Sequence, residues 1–106
     1  MEFLVEIAVT LPRDLDDELR LELIALERIR GTELAASGTL RAIWRVPGQF
    51  ANCAIWSAPD ATELHRAITS LPMWPYSKVQ VTALAQHELA NDCPGIPSAL
   101  RIPLGP

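Results

Sequence analysis

The sequence predicts an α+β domain of ferredoxin-like βαββαβ type: a four-stranded antiparallel sheet with two helices on one face and a dimeric α/β barrel-type assembly. Three observations predict it. Two runs alternate with period two and two more read as strands flanking a turn, two runs show helical spacing, and their order along the chain is β-α-β-β-α-β. With 106 residues the chain has room for one domain, read here as residues 1–90 followed by a proline-rich arm or tail over 91–106.

In the first run, Phe3, Val5, Ile7 and Val9 face one way, and Leu4, Glu6, Ala8 and Thr10 the other. Residues 3–10 therefore read as a half-buried strand, stopped by Leu11-Pro12 because proline has no N–H for the ladder. Residues 14–36 read as a long helix. Asp14 or Asp16 is placed to cap it, and Asp17 and Glu18 meet the positive end of its dipole. Leu15, Leu19, Leu23, Leu26 and Leu34 recur at the spacing of one buried stripe, and Gly38 suits the left-handed terminal position. Strands over 39–46 and 50–56 flank Pro47-Gly48-Gln49, which predicts an antiparallel hairpin. Ser57-Ala58-Pro59-Asp60 opens a second helix, 61–70, with Leu64, Ile68 and Leu71 on one face; Pro72 and Pro75 break it. The fourth strand, 76–86, alternates Val79, Val81, Ala83 and Ala85 against Lys78, Gln80 and Thr82. Two helices cover one side of the sheet. Leu4, Ala8, Leu40 or Trp44, depending on register, remain on the other, which predicts at least a dimer. Residues 91–106 contain Pro94, Pro97, Pro103 and Pro106 without periodicity. They read as an arm, disordered or laid along a neighbouring subunit.

The charge balance limits the partners. Nine basic residues against 13 acidic ones argue against nucleic acid, which demands clustered positive charge, while a few local arginines still suffice for a small anion. Cys53 and Cys93 form no CxxC pair, so free thiols in a reducing compartment are expected, with no zinc site. The N-terminus carries acids where a signal peptide is basic, and no apolar run approaches the roughly 20 residues of a membrane span. The expected location is the cytoplasm, with no membrane partner.

Among candidate chemical groups, Glu27 stands out. It follows Leu23 by four and Ile24 by three, so it shares the edge of the core-facing stripe. Burial there raises proton affinity, which suits a general base acting on a weak carbon acid, although spacing alone favours a border glutamate paired with Arg30 or Arg28. Arg41 and Arg45, four apart on one strand, are expected on one face with Ile43 between them, where they hold a carboxylate or answer rim acids. Asn52 lies in an apolar strand, and its amide requires a partner, from a ligand or from an irregular backbone. His65 and His87 have no acid or second ligand at useful spacing, and Trp44, Trp56 and Trp74 read as core or interface anchors.

Glu27-Arg28, Gly38-Thr39, Trp44-Arg45, Gly48, Ala51-Asn52, Leu64-His65, and Leu71-Pro72 with Pro75-Tyr76 occur in one order and spacing, without gaps, from about residue 1 to 90. In these features the chain resembles the muconolactone isomerase family. The resemblance implies dimers assembled into a decamer. It also implies conversion of muconolactone to 3-oxoadipate enol-lactone in aromatic-compound degradation, without metal or organic cofactor. It marks Glu27 and Arg28 as catalytic, Glu27 being the proton carrier. Arg41, Arg45, Phe50, Asn52 and Tyr76 become substrate-binding, with Arg28, Arg41 or Arg45 on the substrate carboxylate and Asn52 polarising the lactone. Family members carry lysine at the position of Arg28 and tyrosine at that of Phe50, and their ends are shorter. These departures keep open a lactone with a substituent or chlorine, a lyase that eliminates halide from chlorinated muconolactones, and a non-catalytic module that binds a small acid or only assembles.

Overall fold

The computed structural model describes residues 1–93; the expected course of the arm beyond them lies outside the described residues. The elements are β1 (Glu2–Val9), α1 (Asp17–Ala36), β2 (Leu40–Arg45), β3 (Ala51–Ser57), α2 (Ala61–Thr69) and β4 (Ser77–Leu84), with short 3₁₀ turns at Trp74–Tyr76 and Ala90–Asp92. The sheet order is β2-β3-β1-β4 and every neighbouring pair is antiparallel. This is the split βαβ arrangement expected from the element order.

The alternation of β1 sets the layers. Phe3, Val5 and Ile7 are buried beneath the helices with Ala54 and Trp56 of β3, Leu34 of α1, and Leu64 and Ile68 of α2. Register places Phe3 beside Trp56, Val5 beside Ala54 and Ile7 beside Asn52, so these pairs share the helix-facing side. Leu4, Ala8, Ile55 and Trp44 fall on the opposite, open side, where Trp44 is 51% exposed.

Three sequence expectations are corrected. The long helix begins at Asp17 rather than residue 14, because a turn closed by Leu15 N to Pro12 O precedes it. Asp16 sits at the N-cap, but its side chain accepts no capping hydrogen bond. The leucine stripe also divides. Leu34 is buried, whereas Leu19 and Leu26 are 53% and 46% exposed. Leu21 and Ile29 are exposed as well, so α1 carries apolar residues on its outer side too, and leucine spacing could not tell the inner face from the outer. Finally, β2 and β3 are joined by five residues rather than three. Val46 N bonds to Ala51 O, Gly48 adopts φ +75°, and Phe50 lies in the connection instead of opening the strand.

The helix ends differ in a way stability measurements resolve. Asp60 Oδ1 accepts from Glu63 N at 2.8 Å and caps α2, whereas Asp16 makes no such bond on α1. Asp60→Ala is expected to destabilise by about 1 kcal/mol and Asp16→Ala by a few tenths at most in urea unfolding. Equal losses would contradict the difference in capping.

Candidate functional site

A cavity of about 530 Å³ opens between α1 and the helix-facing side of the sheet. Five of the residues singled out from sequence line it: Glu27, Arg28, Arg45, Phe50 and Asn52. The backbone explains this convergence. Glu27 shares with Leu34, seven residues later, the face of α1 that turns to the sheet. On the sheet, Arg45 pairs with Asn52 and Asn52 with Ile7, so all three side chains point up toward that helix from adjacent strands.

Glu27 is half-buried, and its Oε1 accepts a hydrogen bond from the main-chain N–H of Met73 at 2.8 Å. Burial pushes its carboxyl above the ordinary range; the Met73 N–H favours the anion and draws it back only part of the way. The ion pair with Arg30 that spacing left open is not made. Arg30 donates to Ser70 Oγ and lies 3.7 Å from Glu33. Arg45 donates to Ala51 O at 3.3 Å, and its guanidinium carbon stands 5.8 Å from the centre of the Phe50 ring, a cation–π contact that steadies it at the cavity wall. Asn52 Oδ1 is buried with no hydrogen-bond partner among the described residues, and a buried amide oxygen without a partner is costly. The site thus holds a carboxyl with raised proton affinity, two guanidiniums and one unsatisfied amide around an otherwise apolar hollow.

Two residues expected here lie elsewhere. A β-bulge between Leu40 and Ala42 inserts one residue into β2, so Arg41 and Arg45 face opposite sides of the sheet. Arg41 pairs with Glu2 at 3.0 Å on the open side. Tyr76 closes the 3₁₀ turn after Met73, where its carbonyl accepts from Thr10 N; its side chain does not line the cavity. His65 is exposed and meets only the edge of Trp74. The sequence reading also missed contributors: the Met73 N–H, Ser77, Thr32 and Gly31. Leu71-Pro72 and Pro75-Tyr76 pointed to a break, but a main-chain donor carries no side-chain signal. Gly31 did carry one, being a glycine inside a helix.

A cleft of similar volume lies between the end of α1 and the start of α2, but its arginines, Arg30 and Arg66, are answered by Glu33 and Glu63. Among the described residues no cluster of three His, Cys, Asp or Glu side chains is placed to hold a metal, and no helix is long and apolar enough to cross a membrane.

A family model described as muconolactone delta-isomerase matches residues 1–90. The chain is 40% identical over 85 residues to the muconolactone delta-isomerase of Rhodococcus opacus, covering 80% of this chain and 91% of that one. It is 36% identical over 87 residues to muconolactone delta-isomerase 2 of Acinetobacter lwoffii, covering 82% and 91%. A crystal structure of muconolactone isomerase superposes with a TM-score of 0.79 at 34% identity, over 83% of this chain and 92% of the other.

The raised proton affinity of Glu27 has a stability signature with a definite sign. The folded state holds this proton more tightly than the unfolded chain does, so Glu27 weakens the fold as pH rises through its folded titration range. Glutamine retains the acceptor for Met73 N and never ionises. The Tm of Glu27→Gln minus that of the unmodified chain is therefore expected to widen from about pH 4 upward and then level off. Parallel Tm curves across that interval would contradict the burial effect.

Proposed function

This chain belongs to the muconolactone delta-isomerase family, and from that premise we propose that it moves a proton on muconolactone to give 3-oxoadipate enol-lactone. The observation that carries the reading is Glu27, a half-buried carboxyl held through one oxygen by a main-chain N–H in the same cavity as Arg28 and Arg45.

The chemistry follows from these groups. Oε1 of Glu27 is engaged by Met73, and Oε2 takes the proton from the ring carbon that bears the ring oxygen. Breaking that C–H bond shifts the electron pair through the ring and places negative charge on the lactone carbonyl oxygen as a dienolate. The amide of Asn52 answers that charge. Its unpartnered position serves either polarity, because rotating the amide exchanges acceptor and donor. The proton then returns from Glu27 to the carbon alpha to the carbonyl, and the double bond has moved one place. No electrons leave the substrate, so proton transfer alone completes the reaction. Arg28 and Arg45 hold the substrate's free carboxylate, which fixes the ring against Glu27. Arg41 takes no part in this arrangement, since its guanidinium is paired with Glu2 beyond the sheet.

The assembly and location belong to the same reading. A second copy covers the open side of the sheet, where Trp44 stands 51% exposed beside half-buried Leu4 and Ile55, and such dimers build the family's decamer in the cytoplasm.

Two measurements check these points. Glu27→Gln is expected to lower kcat/KM for muconolactone by about 10²–10⁴-fold while remaining folded; turnover like that of the unmodified enzyme would remove Glu27 as the base. Trp44→Glu is expected to shift the sedimentation profile to smaller species. An unchanged profile would place the interface elsewhere.

A further inference from the structure

Gly31 lies in the interior of α1, on the side that lines the cavity. Glycine at such a position weakens a helix relative to alanine. Nothing in the packing calls for it. A Cβ built there meets no heavy atom within 4 Å, and its φ is not left-handed. What the missing side chain leaves is space, and that space faces the ligand cavity.

The cavity is also larger than the small lactone needs. A cavity of about 150 Å³ accommodates benzene, so a lactone acid of ten heavy atoms calls for about 250 Å³ in proportion. The hollow here measures about 530 Å³. Its lining is uneven along its length. Leu40 pairs with Trp56 and Arg45 with Asn52, four residues apart on β3, which separates the two ends by about 13 Å. The charged and amide groups Arg45 and Asn52 occupy one end. Leu40 stands at the other end and Ile43 between the two, and with Gly31 and Ala35, one helical turn apart on α1, they give an apolar lining.

We propose that Gly31 determines specificity by keeping the apolar end of the cavity open for an unsaturated lactone acid that carries an alkyl substituent on its ring. The proposal rests on the lactone isomerase reading and adds the substrate class. The carboxylate is gripped at the Arg45 end, the ring lies against Glu27, and the substituent extends toward Leu40, Ile43 and Gly31. A leucine side chain at 31 occupies the volume the substituent would take.

The test uses the full chain, muconolactone, and its homologue with a propyl group on the ring carbon beta to the carbonyl. For the unmodified enzyme, kcat/KM for the propyl homologue is expected to equal or exceed that for muconolactone. Gly31→Leu is expected to lower the homologue-to-parent ratio by about 10–200-fold, and Gly31→Ala to lower it less while raising Tm by about 4–8 °C. A ratio that Gly31→Leu leaves unchanged overturns the proposal, as does an unmodified enzyme that disfavours the propyl homologue by more than tenfold. Should neither lactone react, the isomerase reading fails by itself. Calorimetry with the same two compounds then decides the proposal, which requires the Kd ratio to shift by the same factor in Gly31→Leu.

Discussion

The contact between Glu27 and the main-chain N–H of Met73 ties the site to the fold. It joins the middle of α1 to the 3₁₀ turn that leads into β4, two segments 46 residues apart, and fixes a half-buried carboxyl against the sheet. Desolvation raises proton affinity, and a single main-chain donor opposes it without cancelling it. A guanidinium in Met73's place would have pinned the carboxyl as a permanent anion. A wholly apolar surround would have kept it neutral. With the single main-chain donor, burial keeps the upper hand, and the carboxyl holds its proton more tightly than an exposed one would. Pro72 and Pro75, on either side of Met73 and Trp74, restrict the backbone that presents the donor ahead of the Trp74–Tyr76 turn.

Period two and proline punctuation revealed the architecture because β1 is buried on one side only. Phe3, Val5 and Ile7 alternate with Leu4, Glu6 and Ala8, and a slip of one residue would expose the whole core. The long helix was less legible. Its outer face carries Leu19, Leu21, Leu26 and Ile29 exposed, so a stripe drawn through leucines alone crosses from the buried side to the open one. Glu27 was nevertheless placed correctly, because its spacing from Leu23 and Ile24 ties it to residues that are themselves half-buried.

The site was partly legible for a related reason. Asn52 and Arg45 reach it through simple alternation from their neighbours, and Glu27 through helical spacing. Arg41 does not, because counting four along a strand assumes an unbroken pleat, and the bulge before Ala42 adds a residue no side-chain pattern announces. The Met73 donor escaped for a deeper reason: every residue but proline offers a main-chain N–H, so only tertiary placement sets one of them against Glu27.

Three locally unfavourable choices meet around one hollow of this small domain. Glycine is a poor choice inside a helix, a half-buried glutamate is a poor choice against an apolar sheet, and an amide oxygen without a partner is a poor choice in a strand. Scattered over the molecule, each would be a separate defect. Gly31 and Glu27 instead lie one helical turn apart on the same face of α1, and Asn52 rises toward that face from the sheet below. Elsewhere Asp60 caps α2, Gly38 takes the left-handed position after α1 and Val5 is fully enclosed, while Asp16 makes no capping bond and Glu2 Oε2 and Trp56 Nε1 are buried without partners among the described residues. What sets the cavity apart is that three departures share its walls, each leaving a group or a space that faces the same hollow. That hollow joins a half-buried carboxyl, two guanidiniums, an unpartnered amide oxygen and the open space beside Gly31.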